Sequence, residues 1–481
     1  MEANASGSTD LLGMKPRHRL DKRFLMMVGI ALTAFLVRLS VMSHGQSMAD
    51  PYSYANMALE ILKARTIPSR TTLTYPGSQI IVPPLLPLSA AGLSLLGINP
   101  LDALLSITLA VSSLTAIPVF LSAEKLAGTS AGAISATLFA FSYPMLYMLT
   151  WGAYPNAIAI FFMGWILYVL VADEPRRTWL ISVLLSLIAF THHFTFLITA
   201  SWLILYALLL ALKRERGRSR LLGVNLALAL AVSSLWYLPR WPLLLAAGAT
   251  GSAPSLEEVL SSFSGVQASD LVLVFFAPFG LYRSQKGERM TITSLLLTLT
   301  IYLLYASQNP IIGARVLYFF SLAVFILSGA AVPFLQARMG VTALGIILIL
   351  TFTASYLNSA SASTYFANID VKDEEAIKWL RSNLREADII LTVDDEVSYI
   401  AFHTGRATIG SGDSEYAFLP EQRRMMVDAN MILAKPSESS ALMRQYNITY
   451  IVLPASSQAA RSVDDAGFTL VYKGGLAVWR V

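Results

Sequence analysis

The chain has 481 residues, of which 55% are hydrophobic and only 14% charged, with a formal net charge of +5 and no cysteine. That balance excludes a chain that is soluble over its whole length, and the missing cysteines exclude disulfides, thiolate chemistry and Cys-ligated zinc or iron–sulfur clusters. No basic stripe interleaved with aromatics points to nucleic acid, and recurring apolar runs mark a polytopic α-helical membrane protein.

In chain order, residues 1–23 are polar and basic ("MKPRHRLDKR") and read as a cytoplasmic tail. The run after them is long enough to span, so it reads as a signal anchor and not as a cleaved signal. Apolar runs near 24–43, 101–122, 131–150, 155–172, 178–191, 194–212, 221–238, 269–282, 290–306, 313–335 and 341–357 predict eleven spans, many of them near the about 20 residues that a bilayer core requires. The run at 85–97, broken by Pro83, Pro84 and Pro87, reads as an interfacial or re-entrant helix. With eleven spans, "KPRHRLDKR", "DEPRR", "KRERGRSR", "YRSQKGER" and "QARMG" all fall on the cytoplasmic side, as basic loops prefer. The opposite face receives the first loop (44–100) with Asp50, the loop "WGAYPNA", His192 and His193, residues 239–270, "SQNPIIGAR" and everything after 358.

The membrane domain therefore runs over 24–358, and 359–481 forms an extracytoplasmic domain of α/β type. In it "DEEAIKWLRSNL" reads as a helix capped by Asp373, and "DIILTV", "YIVLP", "FTLVYK" and "LAVWRV" read as short strands. Asp394, Asp395 and Glu396 read as a solvated strand end, "GRATIGSGD" matches no phosphate-loop fingerprint, and Asn447-Ile-Thr is an acceptor sequon.

Asp50 stands just past the first span and before Pro51, which suits a helix N-cap with proline at the first helical position. Tyr54, Met57, Ala58, Ile61 and Leu62 then recur at helical spacing, so this helix is expected to lie on the outer membrane surface, with Ser53, Asn56, Glu60 and Lys63 facing elsewhere. Arg38, within the first span near the same face, is placed to orient Asp50 by a salt bridge. Arg315 starts the tenth span on the outer side. It reads either as a snorkelling arginine or as an anion ligand. Arg240 and Arg70 are external and read as contacts to headgroups or solvent. Adjacent histidines such as His192 and His193 point about 100° apart on a helix, a poor pair for one metal ion. "YPN", with Tyr154 and Asn156, reads as a turn.

A first span ending in "FLVRLSVM", then "DPYSYANMALEIL" and "VPPLLPL", resembles the first external loop of the GT-C superfamily, the membrane glycosyltransferases that use polyprenyl-phosphate sugars. The order Asp50-Pro51-Tyr52 with Tyr54 is similar to oligosaccharyltransferase catalytic subunits, and "SYPMLYMLTWGAYPNAIAIFF" resembles their second external loop. Two departures stand out. Where those enzymes carry an Asp-Asn-Glu that helps hold a divalent metal, this chain has Pro155, Asn156 and Ala157, and their Trp-Trp-Asp triplet is absent. Members that use monophosphate-linked single sugars, such as protein O-mannosyltransferases and aminoarabinose transferases, are the better match.

The resemblance implies a glycosyltransferase that moves one sugar, with inversion, from a polyprenyl-phosphate donor to a glycan, lipid or protein acceptor. Asp50 would be the base, Arg315, Arg38 and Arg240 the donor-phosphate ligands, and Tyr54, His192, His193, Tyr154 and Asn156 donor or acceptor contacts. No cofactor or metal is required on this reading. The rival readings are a metal-dependent oligosaccharyltransferase-like enzyme and a transporter or scaffold.

Overall fold

The computed structural model describes residues 22–43, 49–174, 177–242, 268–284, 286–306, 310–369, 373–411 and 419–481. The chain opens with α1 (Lys22–Ser43), the shorter α2 (Ala49–Ala64) and α3 (Leu85–Ser94), then α4 (Pro100–Leu114) and α5 (Ala116–Ala127), which run on from each other. Next come α6 (Thr129–Ala140), α7 (Tyr143–Thr150), α8 (Tyr154–Ala172), α9 (Trp179–Thr191), α10 (His193–Leu212) and α11 (Arg216–Tyr237). The membrane part closes with α12 (Ala268–Arg283), α13 (Lys286–Ala306), α14 (Pro310–Met339) and α15 (Val341–Ile369).

With α4 and α5 taken together, and likewise α6 and α7, eight segments among the described residues are long and apolar enough to cross a bilayer. The other three expected spans fall on α9, α12 and α13, of 13, 16 and 21 residues. The chain is a multi-pass helical membrane protein. Between its helices the hydrophobic effect supplies no drive in lipid, so small residues that let backbones approach do the packing. At Gly280 an added Cβ would overlap the Leu327 carbonyl, and at Gly329 it would overlap Ser135. Ser328 Oγ donates to the Leu273 carbonyl at 2.7 Å and Ser135 Oγ to that of Ile326 at 3.3 Å, so α6, α12 and α14 are joined by hydroxyls as well as by contact.

After α15 the chain forms α16 (Glu374–Asn383), β1 (Ile389–Val393), α17 (Asp394–Thr404), β2 (Ala407–Ser411), α18 (Pro420–Ala434), α19 (Ser440–Gln445), β3 (Ile448–Pro454), α20 (Gln458–Asp465), β4 (Thr469–Lys473) and β5 (Leu476–Arg480). The sheet order is β2-β1-β3-β5-β4, parallel through β2, β1 and β3 and antiparallel from there on. Asp373 caps α16 as its sequence suggests. One carboxylate oxygen accepts from the Ala376 amide and the other from Leu476, each at 2.9 Å.

Several expectations are corrected. Residues 394–396 are not a strand end but the first turn of α17, with Glu396 buried. "ATIGS" is the strand β2, and the boundary at 358 falls inside α15, which continues to Ile369. Nor does α2 lie on an open membrane surface. Its apolar face joins the membrane core and its polar face meets α17, so one apolar cluster runs from the membrane helices through Tyr52, Ala55, Ala58 and Ile61 to Ile377, Ile400 and Phe402.

The loops sort to two ends. At one, Arg218 pairs with Asp173 and with Glu215, joining "DEPRR" to "KRERGRSR". At the other, α2 meets the α/β domain and the turn before α8, and the first loop meets the end of α11 at Ile80.

Candidate functional site

Asp50 sits in the first turn of α2, which begins at Ala49, two residues before the expected first helical residue Pro51, and its side chain is exposed. The acid is therefore within the helix start and not strictly its N-cap. An anionic group there is favoured by the unsatisfied amides of the first turn, which concentrate positive potential. A turn from the second loop packs against Asp50. Gly152 has φ +87°, a conformation that disfavours side chains, and a Cβ there would stand 2.7 Å from Pro51 Cδ and 3.4 Å from Asp50 Cβ. This turn leads directly into α8, whose first residue, Tyr154, is fully buried and lies within electrostatic reach of Asp50.

Asn156, two residues on, is buried as well, and its Nδ2 has no hydrogen-bond partner among the described residues. A buried amide donor left unpaired is costly unless something not yet bound accepts from it. Tyr54, one turn after Asp50, is half-buried against the membrane core. The contact of Gly152 with Pro51 and Asp50 thus sets the turn that leads into Tyr154 beside Asp50, with Tyr54 one turn further along α2, while Asn156 is buried two residues on in α8.

Other expected participants are placed differently. Arg38 is only 1% exposed, deep in the bundle. Its Nη1 donates to the Ala34 carbonyl at 3.1 Å and to that of Ala140 at 3.5 Å, and the guanidinium lies 5.3 Å from the centre of the Phe139 ring. It makes no ion pair with Asp50, contrary to the sequence expectation, and its Nε and Nη2 are buried donors without a protein partner among the described residues. A charged side chain within a span is costly unless it is paired, and two of the three guanidinium nitrogens of Arg38 lack a partner among the described residues. Its retention therefore calls for a reason.

Arg240 is partly buried and held by carbonyls and a ring. Its Nε donates to the Ile80 carbonyl at 2.9 Å, its Nη1 to that of Trp236 at 3.0 Å, and its carbon centre stacks 3.4 Å from the Trp236 ring. It ties the end of α11 to the first loop. Arg70 likewise donates to the Gly77 carbonyl within that loop, at 2.6 Å. Arg315 lies near the start of α14, and its side chain is outside the described residues.

His192 is the N-cap of α10. Its Nδ1 accepts from the Thr195 amide at 3.2 Å and lies 2.8 Å from the Thr195 hydroxyl. That use of Nδ1 as an acceptor leaves the ring proton on Nε2. His193 stacks on it with ring centres 5.3 Å apart. Among the described residues no three His, Asp or Glu side chains gather as a metal set.

The sequence reading missed the second surface of α2. Asn56 Nδ2 donates to the Ser398 carbonyl of α17 at 2.9 Å, the Ser53 and Ser398 hydroxyls are 2.7 Å apart, and the Tyr52 hydroxyl lies 3.1 Å from His403 Nε2. Glu60, also buried, accepts from the Thr72 and Leu73 amides at 2.5 and 2.8 Å. The same loop then adds to the edge of the sheet: Thr408 N donates to Leu73 O at 2.7 Å and Tyr75 N to Thr408 O at 2.9 Å, a parallel bridge that covers β2. The available signal was the spacing of Ser53, Asn56 and Glu60, a polar stripe at helical period on a helix already amphipathic.

No family model and no curated protein sequence matches the chain. Solved structures do. The oligosaccharyltransferase of Archaeoglobus fulgidus, in complex with Zn and sulfate, superposes with a TM-score of 0.63 at 15% identity over 89% of this chain and 68% of that one. The same organism's AglB, in complex with an inhibitory peptide and a dolichol-phosphate, gives 0.62 at 15% over 90% and 69%. ArnT from Cupriavidus metallidurans bound to undecaprenyl phosphate gives 0.66 at 11% over 95% and 97%. A common fold thus extends over nearly the whole chain, and this protein has the fold of the GT-C superfamily.

Proposed function

We propose that the protein is a membrane glycosyltransferase that moves a single sugar from a polyprenyl phosphate to an acceptor on the extracytoplasmic side, with inversion. The observation that carries this reading is the end-to-end likeness to ArnT, a structure with bound undecaprenyl phosphate, combined with an exposed carboxylate, Asp50, at the contact between the first two loops. In this orientation the N-terminus is cytoplasmic, and the end bearing Asp50 and the α/β domain faces out.

The chemistry needs few groups. An acceptor hydroxyl gives its proton to Asp50 as its oxygen attacks the anomeric carbon, the bond from that carbon to the phosphate oxygen breaks, and polyprenyl phosphate leaves as the anion. Cationic donors lower the energy of that leaving charge. Arg315, Arg38 and Arg240 are the candidates, and the two unpaired buried donors of Arg38 are the chemical reason to keep it among them. Tyr54, Tyr154, Asn156, His192 and His193 are proposed as hydrogen-bonding contacts to sugar or acceptor.

The likeness to an oligosaccharyltransferase with zinc would imply a divalent ion near Asp50. The residues do not fit it: Pro155, Asn156 and Ala157 supply one side-chain amide oxygen and no carboxylate, and among the described residues no three His, Asp or Glu side chains gather as the ligand set that a zinc ion takes. No step is therefore routed through a metal. The test is deletion in the host and complementation with wild type or Asp50→Asn, with glycoprotein and glycolipid glycans weighed by mass spectrometry.

A further inference from the structure

We propose that the α/β domain is a positioning element for the candidate base, and that Asn56 is the positioning residue through which it acts. The proposal rests on Asp50 being that base. Asn56 follows Asp50 by six residues, about 9 Å along the same rigid helix, so displacement at one end is transmitted to the other.

The hold on α2 is built from independent contacts that converge on a few turns. Asn56 is buried and gives its amide to the Ser398 carbonyl at 2.9 Å, beside the Ser53 to Ser398 hydroxyl contact at 2.7 Å. Tyr52 packs its ring edge-on to Tyr399, 5.3 Å between centres, and its hydroxyl meets His403. Further along, Glu60 fastens Thr72 and Leu73, and that strand-like stretch is in turn bonded to Thr408 of β2, with Tyr75 buried in the core of the α/β domain. The opposite face of α2 is packed on the membrane core.

Alone, any of these contacts is structural. Together with the Gly152 contact to Pro51, they hold the turns of α2 that carry and follow Asp50 and so set the height and tilt of that helix end. Near-attack geometry is demanding, and a misplacement of about 1 Å costs about 100-fold in rate. Polar contacts are the selective part of this surface: a buried amide facing a carbonyl fixes register where apolar packing tolerates sliding.

The experiment uses the full chain in its deletion host, with the sugar it adds to host glycans as the readout and its membrane level checked by blot. Asn56→Ala at normal level is expected to lower sugar transfer about 10- to 100-fold. In a chain without cysteine, Ser53→Cys with Ser398→Cys restores the tether covalently on oxidation. Added to Asn56→Ala, the oxidised pair is expected to recover transfer, and reduction to remove it again. A fully active Asn56→Ala, or a loss that the disulfide does not rescue, overturns the proposal. Should Asn56→Ala fail to accumulate, the cysteine pair alone decides: activity kept in the oxidised form supports the docked state as the working one, and activity regained only on reduction refutes it. Asp50→Asn in the same host separates the two claims, since a fully active Asp50→Asn sinks the site itself, whereas an inactive one beside a fully active Asn56→Ala sinks the coupling alone.

Discussion

Gly152 abuts Pro51: a Cβ on the glycine would stand 2.7 Å from the proline Cδ, so the second loop touches the first at the residue after Asp50. Gly152→Ala therefore meets two penalties, about 1–2 kcal/mol for a left-handed backbone and a contact that must move α2. Gly128 supplies the control, since it has φ +90° with nothing within 4 Å of an added Cβ. Gly152→Ala is expected to reduce transfer strongly and Gly128→Ala to lower only the thermal midpoint. Equal effects on transfer would remove the special role of this contact.

How much of this was legible in the sequence depends on the element. Apolar runs of bilayer length announced the spans, and Asp373 announced its helix, because each signal is local. The strand β2 was hidden by its composition: "ATIGS" has one large apolar residue, and only pairing with β1 makes it a strand. α17 follows β1 without a linker, so its opening acids passed for a strand end. The tail of α15, "SASASTYFAN", is too polar to read as a span yet stays helical. At the site, Asp50 was legible as an acid in an unusual place. The partners of Asn56, Ser53 and Glu60 were not, because they lie across the fold or in the loop beyond the helix.

Transfer is expected to continue in excess chelator, because Pro155, Asn156 and Ala157 lack carboxylates where a divalent ion would need them. Assays of membranes with EDTA, then with added magnesium or manganese, check this. Loss of transfer that either ion restores would favour the metal-dependent rival.

Acid should loosen the contact between α2 and α17. Burial, then the neighbouring Arg381, holds His403 below its ordinary 6.5, with Glu374 opposing. A chain in which this site opens binds the proton more readily, so the contribution of His403 to docking is whole above about pH 6.5 and is lost as the pH falls through the lowered folded value. Hydrogen exchange of α2 amides is expected to quicken on going from about pH 7.5 to about pH 5, and His403→Gln to flatten that dependence. A contact that tightens in acid would contradict the assignment.

Sidedness can be read directly in a chain free of cysteine. Glu386→Cys, on the exposed rim of the α/β domain, should react with a membrane-impermeant thiol reagent in whole cells, while Lys213→Cys should react only after lysis. Labelling of Lys213→Cys in intact cells would invert the topology and place Asp50 on the cytoplasmic side.

The most direct measurement is the glycan mass of a deletion strain carrying wild type or Asp50→Asn at equal membrane level. The account predicts that one sugar is lost on deletion, that wild type restores it, and that Asp50→Asn leaves it missing or reduced by about 100-fold or more. Full restoration by Asp50→Asn would show that this carboxylate serves the helix start alone and would contradict the proposed mechanism.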